Sequence, residues 1–95
     1  MSSNYDRAAA QRALSEFRQK RRSATPETVV SLCQALGFEF KPSRGKGSHG
    51  VAVRARTNPI TIPRHIGLRI ATGILTTLEE VFDNDATDKE QPGSR

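Results

Sequence analysis

A chain of 95 residues has room for one domain, and a domain this small buries only about 60 to 65% of the surface its unfolded form exposes, so few elements must share one core. Its net charge of +5 is unevenly placed: every charged residue from Lys41 to Arg69 is a cation, Arg18, Lys20, Arg21 and Arg22 form a second basic cluster, and Glu79, Glu80, Asp83, Asp85, Asp88 and Glu90 gather toward the C-terminus. One cysteine and two histidines exclude an intrachain disulfide and a four-ligand Cys/His zinc site, and they argue against a catalytic zinc.

No apolar run approaches the roughly 20 residues that span a bilayer, and Met1 to Asp6 lacks the apolar stretch of a secretion signal. The expected location is the cytoplasm, with no membrane partner. A segregated basic patch attracts phosphates, so nucleic acid and an acidic protein are the partners to weigh against a merely solvated face.

Residues from Asp6 to Arg22 favour helix, with a thin apolar stripe at Ala10, Leu14 and Phe17, and read as a helical extension spanning 1–24. The main domain, 25–83, opens on a stronger signal. Thr25 can cap, Pro26 suits the first helical position, Glu27 complements the helix dipole, and Val29, Leu32, Cys33 and Leu36 recur at helical spacing. Gly37 ends that helix, and Phe38 can fold back onto its apolar side. Cys33 on this stripe reads as a packed thiol.

Phe38 to Lys41 alternates as a short strand stopped by Pro42, and a loop from Ser43 to Ser48 follows. A second strand begins near His49. Its parity puts Val51, Val53 and Ala55 toward the core and gives Ala52, Arg54 and Arg56 a solvent-facing surface. Thr57-Asn58-Pro59 reads as the hairpin turn, and Ile60 to Ile62 as a third strand ended by Pro63. Ile70, Ile74, Leu75, Leu78, Val81 and Phe82 then predict a helix with Thr72 as a cap, and 84–95 reads as a disordered acidic tail.

The expected fold is therefore α+β: an α-β-β-β-α domain with a three-stranded antiparallel sheet, preceded by an extra N-terminal helix. This order is also that of double-stranded-RNA-binding domains, which read A-form shape through phosphates and 2′-hydroxyls.

The chemistry is concentrated in Arg44-Gly45-Lys46-Gly47-Ser48-His49-Gly50. Histidine, with an unperturbed pKa of about 6.5, both takes and gives protons near neutrality. RNA can be cut without metal if a base removes the proton of the 2′-hydroxyl and cations stabilise the charge building on phosphate. His49 suits the first task. Arg44 and Lys46 suit the second, Ser48 can orient imidazole or phosphate, and the glycines let backbone approach closely. Arg54, Arg56 and Arg64 would hold the strand, and no cofactor or metal is required. The plain alternative is a histidine at the rim of the core, hydrogen-bonded and inert, beside ordinary loop cations. His65 is either part of a simple connection or a secondary group facing the same surface as His49.

Leu36-Gly37-Phe38, Lys46-Gly47-Ser48-His49, Ile60-Thr61-Ile62-Pro63-Arg64-His65 and the closing helix with Ile74-Leu75 resemble the HicA family of toxin ribonucleases over residues 25–82. The resemblance implies a double-stranded-RNA-binding-like fold, cleavage of mRNA by the single histidine of the Gly-Ser-His motif, here His49, and neutralisation by a HicB-like antitoxin covering the active surface. Many members continue this motif with a second histidine, where this chain has Gly50. A non-catalytic RNA-binding module of the same fold is the alternative, and a domain that receives an acidic protein partner is a third.

Overall fold

The computed structural model describes residues 5–43 and 48–90. Helix α1 (Arg7–Gln19) begins where the Asp6 carboxylate accepts from the backbone N–H groups of Ala8, at 2.9 Å, and Ala9, at 3.3 Å. A short 3₁₀ turn (Arg21–Ser23) leads to helix α2 (Pro26–Ala35). There the Thr25 hydroxyl accepts from Thr28 N at 3.2 Å while Thr25 N donates to the Thr28 hydroxyl at 2.9 Å, a reciprocal cap with threonine in the place usual for Glu. The helix ends as the sequence predicts. Gly37 takes a φ of 87°, Gly37 N donates to Gln34 O at 3.0 Å, Phe38 N donates to Cys33 O at 3.1 Å, and the Phe38 ring is buried.

Strands β1 (Glu39–Pro42), β2 (Ser48–Arg54) and β3 (Thr57–Pro63) form an antiparallel sheet in the order β1-β2-β3. Phe40 lies opposite Ala52, and Ala52 opposite Ile60, while Gly50 faces Ile62. Ala52 and Ile62 are fully buried beneath α2, so this is the covered face. The expected parity of β2 is thus reversed: Val51 and Val53 sit half-buried on the open face, opposite Lys41 and Glu39. The reason is steric, because the central strand beneath a closely packed helix takes small residues, Gly50 and Ala52, and leaves the larger valines outside.

The hairpin turn also differs from expectation. It is Ala55-Arg56, with Arg56 in the left-handed region at a φ of 65°, and β3 already pairs at Thr57. Between the pairs Arg54–Thr57 and Ala52–Ile60, β3 carries one residue more than β2, so Asn58-Pro59 forms a bulge on an edge strand, where a proline leaves no ladder donor missing.

Helix α3 (Leu68–Glu90) starts earlier and ends later than the sequence suggests. Thr72 lies inside it and accepts a bond from the Arg21 guanidinium at 3.2 Å instead of capping. Residues 84–90, expected as a disordered tail, continue the helix. Asp85 is buried there, accepting from the Arg54 guanidinium at 2.5 Å and from the Tyr5 hydroxyl. Residues 91–95 lie outside the described residues.

Nor is α1 a mere appendage. Ala10, Leu14 and Phe17 join one core with Val29, Leu36, Ile62, Leu75 and Leu78. Along α3, the Arg7 guanidinium lies 3.8 Å from the Phe82 ring centroid and donates to Phe82 O at 3.0 Å, while Arg18 pairs with Glu79. Cys33 is wholly buried in this core, and that burial pushes its thiol up to about 12.

Candidate active site

An antiparallel meander brings the end of β1, the start of β2 and the end of β3 to one end of the sheet. Here Pro42 faces Gly50 and Ser48 faces Pro63. Between the pairs Ser48–Pro63 and Gly50–Ile62, β2 carries one extra residue, His49. A bulge of this kind re-aims a side chain that regular pleating would have set by alternation. The half-exposed His49 ring stacks on Phe40, with centroids 5.5 Å apart and planes inclined by 25°. Its carbonyl accepts from Ser43 N at 3.1 Å, which fixes the backbone on the β1 side. Among the described residues, neither ring nitrogen has a hydrogen-bond partner, and the ring is part-exposed at the rim of the sheet.

Gly50 shapes the arrangement. A Cβ there would stand 2.5 Å from Lys41 O and 2.6 Å from the edge of the Phe40 ring, closer than real contacts. A second histidine at this position has no room.

Ser48 is half-buried at the start of β2, directly opposite Pro63. Arg64 and His65 follow Pro63 in an exposed bend, so both leave the sheet at the His49 end. Arg44 and Lys46 lie outside the described residues, and their flanking neighbours Ser43 and Ser48 belong to this same end. Arg69 is exposed in the first turn of α3, and Lys41 is exposed on β1 beside Glu39 at 3.7 Å.

Arg54 and Arg56 are elsewhere. Arg54 is five residues along β2 from His49, roughly 16 Å at strand rise. Its side chain is 14% exposed, its charge is matched by Asp85, and it also donates to Leu36 O at 3.2 Å. Its role is structural, in place of the strand-holding role the sequence suggested. Arg56 is exposed in the hairpin turn at that far end.

Sequence reasoning missed Phe40, whose ring was expected only to help build a strand, and Asp85, hidden among other acids. The alternation of β1 marks Phe40 as inward-facing, but only the strand register with its bulge puts it against His49. Among the described residues no cluster of three or more His, Cys, Asp or Glu could hold a metal ion, and no helix is long and apolar enough to cross a membrane.

Comparison of the chain with protein-family models, with curated proteins and with solved structures returns no match. The likeness to HicA toxins accordingly rests on the short motifs quoted above, and the functional reading rests on the chemistry of this end of the sheet.

Proposed function

We propose that the protein is a metal-independent endoribonuclease of the HicA type, the toxin of a toxin–antitoxin pair, acting on mRNA in the cytoplasm. The observation that carries this reading is His49: half-exposed, set in a bulge, with both ring nitrogens unengaged by described residues. The helix-sheet-helix order of residues 26–90 supports a double-stranded-RNA-binding-like frame.

In this reading the His49 imidazole accepts the proton of a ribose 2′-hydroxyl as O2′ bonds to the adjacent phosphorus. The bond from phosphorus to O5′ breaks, and O5′ takes a proton from water. The products are a 2′,3′-cyclic phosphate and a 5′-hydroxyl. Arg64, with Arg44 and Lys46, neutralises the phosphate oxygens as charge builds, Ser48 orients the phosphate, and His65 is a secondary group at the same end. A HicB-like antitoxin silences the enzyme by covering this end. The test is an RNA carrying a single 2′-deoxy substitution at a mapped cleavage site: cutting there stops if O2′ is the nucleophile and persists if water attacks.

A second reading, a non-catalytic RNA-binding module, is favoured by Arg56. This exposed cation stands at the end of β3 opposite Arg64, so exposed positive charge flanks the strand at both ends. Binding without cleavage would establish it.

A further inference from the structure

We infer that Phe40 is the positioning residue of the His49 imidazole and that the missing side chain at Gly50 is what lets it act. The inference rests on the nuclease reading for its kinetic consequence, though not for its geometry. Phe40 is itself held in place, half-buried and packed against the core, opposite Ala52 in the sheet. From there its ring extends over Gly50, where an added Cβ would meet it at 2.6 Å, and reaches the bulge that carries His49. The two rings stack at 5.5 Å and 25°.

This is an economical way to orient a base. A hydrogen bond to the imidazole would fix its direction by committing one nitrogen, whereas a flat apolar face fixes the plane of the ring and leaves both nitrogens for proton transfer. The bulge supplies the direction and Phe40 supplies the restraint. Misplacement of a reacting group by about 1 Å can cost on the order of 10²-fold in rate, so a restraint on one ring has kinetic weight.

The test uses the full chain with Phe40→Leu, Phe40→Met and Phe40→Tyr. Each variant is checked by circular dichroism, by the proton NMR shifts of the His49 ring, and by kcat and KM for cleavage of a labelled RNA. Phe40 displaces the His49 ring signals through its ring current, and leucine or methionine should abolish that displacement. With it, kcat should fall about tenfold to a hundredfold, KM should hardly change, and Phe40→Tyr should restore both shift and kcat. If Phe40→Leu does not fold, Phe40→Met carries the same comparison. Wild-type kcat in a folded variant that has lost the ring-current shift overturns the positioning role, and an unchanged shift overturns the stack itself. Retained cleavage by His49→Ala, with the ring-current result intact, removes the nuclease reading and leaves the stack standing.

Discussion

The carboxylate of Asp85 holds the guanidinium of Arg54 at 2.5 Å and, through the Tyr5 hydroxyl, ties the first described residue of the chain to the last turns of α3. Four segments meet at this cluster, because Arg54 also donates to the carbonyl at the end of α2. Removing one partner of a buried ion pair strands the other charge. Arg54→Ala and Asp85→Ala should therefore each cost about 3 kcal/mol in urea unfolding. The double replacement Arg54→Leu with Asp85→Leu should cost much less than the two single losses summed. In the folded fraction, cleavage per molecule should not change, since Arg54 sits far from His49; a tenfold loss of kcat would return Arg54 to the site.

Tyr5 adds a pH signature. Burial, followed by the hydrogen bond to Asp85, raises its phenol from 10.0 to about 12. The folded state favours the neutral phenol, so the associated stability is fully present below pH 10 and is lost as pH rises through about 12. Urea melts across that window should show a steeper fall for the wild type than for Tyr5→Phe. Cys33 titrates over an overlapping range in both proteins and so cancels in the difference. Parallel losses would show that Tyr5 has no such bond in solution.

Arg56 occupies a conformation that favours glycine. Arg56→Gly should stabilise the hairpin by about 0.5 to 1 kcal/mol, since relief of left-handed strain outweighs the added freedom of the unfolded chain. If Arg56 also grips a phosphate, the same variant binds RNA more weakly, and its logarithmic salt dependence flattens by about 1. Thermal melts and binding titrations at two ionic strengths read the two effects separately.

Arg64 provides the matching comparison at the other end. Arg64→Ala should weaken RNA binding and lower kcat/KM, with little change in melting temperature, because its side chain is exposed and no described residue pairs with it. Unaltered affinity would place the phosphate elsewhere.

Helix α2 was readable at both ends because its signals are local: Thr25 and Pro26 start it, and Gly37 with Phe38 closes it. The face of β2 was not, since hydrophobicity ranks Val51 and Val53 above Gly50 and Ala52, whereas the packed helix selects for size. Asn58-Pro59 carries a turn signal that the edge of the sheet absorbed as a bulge. The polar run beyond Asn84 looked unstructured because Asp85 finds its partners 31 and 80 residues away. His49 could be picked out from its neighbours in sequence, but its setting could not, because a one-residue bulge changes where the ring points and no local pattern announces it.

The central claim is that one imidazole performs the proton transfer. The most direct measurement is cleavage of end-labelled RNA in EDTA by wild type and His49→Ala, with fold and RNA affinity followed in parallel. Wild type should yield fragments ending in 2′,3′-cyclic phosphate, and His49→Ala should bind RNA normally and lose at least about 10²-fold in rate. Equal cleavage by the two proteins would contradict it.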